Sequence, residues 1–156
     1  MYEDRWLVVV DKAAGVLSVS LSPRSVSVKS MLDDYFERSH QRCRAHVVHR
    51  LDCDTSGLMV YAKSREVQQR FEADWKGLVY DRRYVALVEA RLDTGRKHQI
   101  RVHFASVGCP VVGDRKYNEN ENENRAQRLM LHAYRLCFVH PVTAKRLEFE
   151  SSKVRE

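Results

Sequence analysis

The sequence has 156 residues, of which 44% are hydrophobic, and this length is enough for one domain with a core of its own. It contains no apolar run near the roughly 18 residues of a membrane-spanning helix. Met1 is followed by the acidic residues Glu3 and Asp4, whereas a signal peptide begins with a basic and then an apolar region. We therefore expect a single cytoplasmic domain over residues 1–156. Lys and Arg outnumber Asp and Glu by 27 to 21, which suits a polyanionic partner without indicating one.

Local patterns predict several elements along the chain. Residues 6–10 (WLVVV) form an apolar run of strand length, and residues 16–19 predict a second short strand after a turn. Apolar residues at helical spacing predict one helix near residues 27–38 and another near 65–76, with Ser64 as the cap of the second. Residues 118–124 alternate Asn and Glu, which predicts a solvated loop.

The most polar stretch lies between two short apolar segments of strand-like composition. Residues 49–58 read HRLDCDTSGL and are flanked by apolar residues 47–48 and 58–62. Composition alone indicates a surface turn, because Asp, Thr, Ser and Gly are common turn formers. The string H-R-L-D-x-x-T-S-G-L, however, resembles the signature of the RluA-type pseudouridine synthases. In that family the Asp is the catalytic nucleophile, so the resemblance implies this role for Asp52.

Further motifs resemble the same family in the same order. Residues 11–15 (DKAAG) are similar to its opening motif, with Ala13 in place of the usual Pro, and residues 82–88 (RRYVALV) are similar to its tyrosine motif. Residues 94–103 (TGRKHQIRVH) resemble T-G-R-x-H-Q-I-R-x-H, and residues 108–117 (GCPVVGDRKY) resemble G-x-P-x-x-G-D-x-x-Y. Alternation from Gln99 to Phe104 predicts a strand with one apolar and one cationic face.

The resemblance implies an α+β fold, namely a mixed, mainly antiparallel sheet with flanking helices and an active cleft across it. It also implies RNA as the partner, no cofactor, no metal and, we expect, a monomer. The expected catalytic residues are Asp52, Tyr84 and Arg101. The expected substrate-binding residues are His49, Arg50, Leu51, Thr55, Arg96, His98, Gln99 and Ile100. A guanidinium beside a carboxylate keeps it ionised and can hold it through two parallel hydrogen bonds, which makes Arg101 the expected partner of Asp52.

One spacing departs from the family pattern. The family separates its tyrosine strand from its T-G-R motif by several strands, whereas residues 89–93 alone intervene here, a length that suits a tight connection between antiparallel strands. No S4-type RNA-binding domain is expected before the first motif. The shortened middle leaves an alternative open, in which the chain is an RNA-binding or chaperone protein of the same fold without catalysis.

A third interpretation concerns metal. Four side chains near the signature have chemistry that zinc accepts, although their spacing is not that of a known closed zinc site. These residues are Cys43, His46, His49 and Cys53.

Overall fold

A computed structural model describes residues 2–20, 22, 25–86, 89–118 and 126–152. The strands among these residues are β1 (Tyr2–Glu3), β2 (Leu7–Lys12), β3 (His46–Val47), β4 (Ser56–Ala62), β5 (Val79–Val85), β6 (Glu89–Arg91), β7 (His132–Val139) and β8 (Arg146–Glu150). The helices are α1 (Val28–Arg38), α2 (Arg65–Ala73), α3 (Trp75–Leu78) and α4 (Gln99–Ser106). Leu87 and Val88 of the tyrosine motif, and residues 119–124 of the predicted polar loop, lie outside the described residues.

The strands form one sheet, which confirms the predicted fold class. The order is β1-β2-β4-β7-β5-β6, with β3 paired to β4 and β8 paired to β7. Among the described strands, β4 and β7 form a parallel pair and the other pairs are antiparallel. On β4, β7 pairs with the start of the strand at Ser56 and Gly57, whereas β3 pairs with its end. The signature loop between β3 and β4 therefore lies beside the start of β7.

Apolar side chains cover both faces of the central strands, which explains the continuous apolar runs at β2 and β4. Val8 and Val10 of β2 belong to one core with Phe36 of α1. Leu7 and Val9 belong to a second core with Phe71 of α2. The predicted helices near residues 27–38 and 65–76 thus pack on opposite faces of the sheet, and their Ser27 and Ser64 side chains cap them as N-cap residues.

The helix predicted near residues 65–76 is divided at Asp74. α2 ends at Ala73, Asp74 has φ −141° and ψ 56°, and α3 begins at Trp75. The Asp74 carboxylate accepts a hydrogen bond from the Gly77 backbone N–H at 3.0 Å, because a short acidic side chain competes for amides at a helix start. Because of this break, Trp75 does not continue the helical turn of α2.

Two predictions about short strands are wrong. Residues 16–19 form no strand; Leu17 makes one isolated parallel bridge with Ser27, and this segment is held by side-chain contacts described below. Residues 89–93 are not merely a connection, since Glu89–Arg91 is itself strand β6 and pairs with β5.

The strand predicted from Gln99 to Phe104 is also wrong, because these residues form helix α4. Alternation placed Arg101 on a solvated face, yet Arg101 is 5% exposed and Ile100 is 7% exposed. Val102 and His103 face solvent instead. If Arg101 is treated as a buried residue, then Ile100, Arg101 and Phe104 have the spacing of one face of a helix.

No helix in the described part of the chain has the length and apolar character to cross a membrane.

We predict that Gly57→Ala destabilises the fold strongly. Gly57 has φ +119°, and an added Cβ would lie 2.3 Å from the backbone oxygen of Ala133 on β7. Backbone strain and overpacking at the β4–β7 pair should together lower the free energy of unfolding by about 3 kcal/mol, measured by urea denaturation. The control is Gly108→Ala, at φ +76° with open space around the new Cβ, for which we expect about 1 kcal/mol. Equal losses in both variants would contradict the close approach of β4 and β7.

Candidate active site

A cleft of about 790 Å³ opens beside the signature loop, and the residues that line it come from distant parts of the chain. Every residue predicted to act in catalysis or substrate binding contributes to this lining: His49, Arg50, Leu51, Asp52, Thr55, Tyr84, Arg96, His98, Gln99, Ile100 and Arg101. The signature, the tyrosine strand and the T-G-R motif therefore meet in one place. Their individual roles stay predictions.

The carboxylate of Asp52 faces two nitrogen-bearing side chains from the T-G-R motif. Its Oδ1 lies 3.5 Å from His98 Nε2, and its Oδ2 lies 3.6 Å from Arg101 Nη1. The Asp52 side chain is 25% exposed, whereas that of Arg101 is 6% exposed. The expected proximity of Arg101 to Asp52 is thus present, and the carboxylate remains open to the cleft.

The two parallel hydrogen bonds expected between Arg101 and Asp52 are formed with Asp114 instead. Arg101 Nε donates to Asp114 Oδ2 at 2.8 Å, and Nη2 donates to Oδ1 at 2.7 Å. Asp114 is fully buried and also accepts the backbone N–H groups of Lys116 and Tyr117. Burial alone would raise the pKa of Asp114, but the donors from Arg101 and the backbone outweigh it, so the pKa lies below 3.8.

Asp114 was missed as a functional residue, although the Gly-Asp pair of the motif at residues 108–117 was a signal for it. Because Asp114 occupies the Nε and Nη2 side of the guanidinium, the third nitrogen, Nη1, is the one directed at Asp52. The guanidinium carbon of Arg101 lies 5.2 Å from the Tyr117 ring centroid, and this contact restricts the guanidinium further. Asp114 thus orients the cation that Asp52 faces.

His98 is held in an uncommon backbone conformation at the start of α4, with φ 56°. Its Nδ1 lies 2.8 Å from the Tyr117 hydroxyl, which fixes the ring. Burial lowers the pKa of His98 below 6.5, Arg101 and two nearby lysines lower it further, and Asp52 opposes them. His98 is therefore a neutral polar neighbour of Asp52 at pH 7 and not its counter-ion.

The residue before Asp52 is anchored by Ser18, which sequence reasoning did not single out. The Ser18 hydroxyl donates to the Leu51 carbonyl at 2.7 Å and accepts the Leu51 N–H at 3.2 Å. The Tyr61 hydroxyl donates to the Ser18 carbonyl at 2.9 Å, so the anchor is itself fixed to β4.

The residue after Asp52 is anchored by the segment that follows β2. The Lys12 ammonium donates to the Cys53 carbonyl at 2.8 Å and to the carbonyls of Ala13 and Val16, and the Gly15 N–H also donates to Cys53 at 2.9 Å. Burial lowers the pKa of Lys12 to about 8, against the opposing effect of acidic groups at residues 52–54. The Lys of the D-K-A-A-G motif was a signal for this role. Asp52 is thus fixed on both sides.

Tyr84 lies in β5 and is 7% exposed. Burial raises its pKa above 10.0, with a further rise from Asp52 and an opposing effect of Arg82. The phenol is therefore protonated at neutral pH.

The remaining predicted residues divide by exposure. His49 Nε2 accepts the Val60 N–H at 3.2 Å, and burial together with Arg82 lowers the pKa of His49 to about 3. The Gln99 side chain accepts hydrogen bonds from Thr94 Oγ1 and the Arg96 N–H, which closes the turn before α4. Leu51, Thr55 and Ile100 are buried, whereas Arg50 and Arg96 are exposed at the rim.

A second cleft, of about 1070 Å³, adjoins the first at Asp52. The two clefts share Asp52, Lys97, His98 and Arg101. The second is also lined by basic residues, namely Arg115, Lys116 and Arg128. Asp52 therefore lies where two clefts meet, and both clefts are lined by several basic side chains.

The structure does not support the zinc interpretation. Within the described ranges, no three His, Cys, Asp or Glu side chains form a group that could hold a metal ion. Cys43, His46, His49 and Cys53 therefore do not converge on one point, and His49 uses its Nε2 to bind the backbone of β4.

Comparison with known proteins identifies the family. A family model described as RNA pseudouridylate synthase matches residues 6–90, which include the signature loop and Tyr84. The chain belongs to this family, in its RluA-type branch. An uncharacterized RNA pseudouridine synthase of Aquifex aeolicus is 30% identical over 214 residues, covering 96% of this chain and 67% of the relative. The dual-specificity RNA pseudouridine synthase RluA of Vibrio cholerae is 28% identical, covering 90% of this chain and 77% of the relative.

The fold of this pseudouridine synthase is also found in a solved human structure. The protein named RNA Pseudouridylate Synthase Domain Containing 4 superposes with a TM-score of 0.75 at 19% identity, over 97% of this chain and 87% of that chain. The alignment with the Aquifex relative runs over 214 positions, more than the 156 residues of this chain. Some positions of that relative thus have no counterpart here. The family model ends its match at residue 90, inside the shortened connection.

We predict that Asp114→Asn destabilises this pseudouridine synthase in a pH-dependent way. Loss of the carboxylate leaves Arg101 buried without its anion, so the free energy of unfolding at pH 7 should fall by about 3 kcal/mol. The folded-state pKa of Asp114 lies below 3.8, so its contribution is complete above that value and is lost as pH falls through the folded-state pKa. The difference between wild type and variant should therefore shrink at pH 3.

The measurement is urea denaturation at pH 7 and pH 3. Asp34→Asn, at an exposed position of α1, is the matched control and should change stability by less than about 0.5 kcal/mol. If Asp114→Asn behaves like this control at pH 7, the buried pair does not stabilise the fold.

Proposed function

We propose that this chain converts uridine to pseudouridine in structured RNA, with Asp52 as the nucleophile. The observation that carries the proposal is the position of Asp52, open to the cleft with Oδ2 at 3.6 Å from Arg101 Nη1, in a chain of the pseudouridine synthase family. A carboxylate suits covalent catalysis when it stays ionised at the moment of attack.

The reaction breaks the bond between ribose C1′ and uracil N1, turns the base and joins C1′ to C5. It is an isomerisation: C5 loses a proton and N1 gains one, so no redox agent is needed to balance it. Asp52 adds to C6, attacks C1′ or assists loss of the base to a glycal, and these three routes share the same groups.

The surroundings of Asp52 suit each route. Substrate binding would remove water from the carboxylate, which disfavours its charged form, and the fixed guanidinium of Arg101 favours that form. Asp114, which holds Arg101 by two short hydrogen bonds, keeps the cation in place before substrate arrives. Such preorganisation avoids a rearrangement during the reaction.

The target nucleotide must leave the RNA helix to reach this cleft. The buried ring of Tyr84 offers a surface on which the uracil can stack. Its phenol is protonated at neutral pH, so it can accept the C5 proton late in the reaction only as it passes its own proton on, with N1 as the group that gains one. Arg50, exposed at the rim, would fill the space left in the RNA or hold its backbone. Lys97, Arg115 and Lys116 would bind flanking phosphates along the second cleft.

We propose ribosomal RNA as the substrate, with transfer RNA as the alternative. A relative from Zymomonas mobilis that is 27% identical, covering 97% of this chain and 68% of the relative, is named ribosomal large subunit pseudouridine synthase D. The protein would then act as a monomer in the cytoplasm, without metal or cofactor.

The proposal predicts that Asp52→Asn abolishes turnover while RNA binding persists. Release of tritium from ribosomal RNA labelled at C5 of uridine, isolated from cells that lack the protein, measures the reaction. We expect a loss of at least about 1,000-fold, as for other essential nucleophiles. Asp54→Asn, two residues away and exposed, is the control and should retain most activity. Unchanged turnover in Asp52→Asn would refute the nucleophile.

The longer alignments of the relatives favour one alternative, an RNA-binding or chaperone protein of the same fold that has lost catalysis with its middle segment. This alternative predicts that the wild type binds the labelled RNA and releases no tritium. It also predicts that a chain with the segment restored at residues 89–93 regains turnover. Tritium release by the wild type at a rate that depends on Asp52 would exclude it.

A further inference from the structure

The guanidinium of Arg82 is a buried cation that faces the active cleft. Arg82 lies in β5, is 7% exposed and lines the cleft. Among the described residues it forms no side-chain hydrogen bond, and no carboxylate lies within 4.0 Å of it. The described residues include a few buried polar atoms that have no hydrogen-bond partner, and no nitrogen of Arg82 is among them. Since these nitrogens also have no partner, they must be accessible from the cleft.

Among the described residues, the groups that contact the Arg82 guanidinium carry no negative charge. Its guanidinium carbon lies 5.3 Å from the Trp75 ring centroid, and its charge acts on His49, which is neutral, and on Tyr84, which is protonated. An added Cβ at Gly95 would lie 2.9 Å from Arg82 Nη1. Because Gly95 has no side chain, there is room for the Arg82 guanidinium at this position.

Three other arginines contrast with Arg82. Arg83, the next residue along β5, is 3.1 Å from Asp81 Oδ2, and Arg135 of β7 is 3.1 Å from the same oxygen. Arg101 has its bidentate partner in Asp114. Burying a charge without a partner costs free energy, so Arg82 reduces the stability of the free protein relative to a neutral side chain. A ligand that hydrogen-bonds to the guanidinium would compensate for this cost.

We propose that Arg82 is a further catalytic residue, which donates hydrogen bonds to a carbonyl oxygen of the target uracil and stabilises the negative charge that develops there. The inference rests on the proposed function. Arg82 and Tyr84 are two residues apart on one strand and both point into the cleft. A uracil stacked on Tyr84 would bring its O2 or O4 oxygen within reach of Arg82.

The depth of Arg82 favours the base over the RNA backbone. Phosphates stay at the rim of a cleft that accepts an extruded nucleotide, where the exposed residues Arg50, Arg96 and Lys97 lie. Arg82 lies inside the cleft beside buried Tyr84 and half-buried Trp75. The group that reaches this depth is the extruded base, which offers carbonyl oxygens as its acceptors.

The charge that develops during the reaction gives such a donor a role. When the C1′–N1 bond breaks, its electron pair stays with uracil and is shared among N1, O2 and O4. Addition of Asp52 to C6 likewise places charge on O4. Arg82 donates hydrogen bonds without giving up a proton, and the pair returns to carbon when C5 bonds to C1′ and its proton leaves. A fixed cation directed at developing charge, in a site that excludes water, is an effective source of rate enhancement.

The test compares Arg82→Gln with Arg83→Gln, the same change on the neighbouring residue, whose side chain pairs with Asp81 and Glu89. Single-turnover tritium release at saturating RNA should fall about 100-fold or more in Arg82→Gln and remain near wild type in Arg83→Gln. The RNA Kd should be unchanged, and the Tm of Arg82→Gln should equal or exceed that of the wild type, because an unpaired buried charge has been removed. Arg82→Lys, with charge but fewer donors, should be intermediate in rate.

Four results would overturn the inference. A preserved single-turnover rate with weaker binding, and a salt dependence reduced by about one phosphate contact, would assign Arg82 to the RNA backbone. A lowered Tm in Arg82→Gln would assign it a structural role through Trp75. A wild type that releases no tritium would overturn the proposed function together with this inference, whereas an active wild type and an equally active Arg82→Gln would overturn the inference alone.

Discussion

A buried ion pair between Arg101 and Asp114 determines the geometry of the cleft. Two hydrogen bonds of 2.8 and 2.7 Å hold the guanidinium, and the carboxylate that receives them is fully buried. Because Arg101 lies in the first turn of α4, the same pair fixes that helix against the turn that contains Asp114. The nitrogen left over faces Asp52. A single charge pair thus links the packing of α4 to the electrostatics of the nucleophile that we propose.

The backbone on both sides of Asp52 is fixed by a segment far from it in sequence. Ser18 holds Leu51, and Lys12 and Gly15 hold Cys53. Asp52 itself keeps a partly exposed carboxylate with contacts beyond 3.4 Å. The backbone is therefore fixed at Leu51 and Cys53, while the carboxylate of Asp52 stays accessible from the cleft. This arrangement suits a nucleophile, which must be positioned by groups that do not use up its own oxygen atoms.

Motif order was enough to predict which residues meet at the cleft, because Asp52, Tyr84 and Arg101 each belong to a string that resembles the same family. The helical form of residues 99–106 could not be read from alternation, since the burial of Arg101 depends on Asp114, which lies 13 residues further along the chain. The anchoring by Ser18 and the unpaired state of Arg82 depend on tertiary contacts of the same kind. A single sequence does not show which polar residues have partners. In this protein, Arg101 is paired with a carboxylate and holds the fold, whereas Arg82 is unpaired and is the arginine that we propose to contact the substrate.

The break between α2 and α3 has a consequence for how this enzyme can diverge. Trp75 reaches the cleft because the chain turns at Asp74, whose exposed side chain caps α3. The aromatic wall of the cleft is thus positioned from the protein surface, while Phe71, one turn earlier, remains in the core beneath the sheet. Because Trp75 also packs against this core, a change at the exposed cap would move the wall of the cleft together with the edge of the core. Variation at this cap is therefore one way in which the width of the cleft can change while the sheet and the Asp52 loop stay the same.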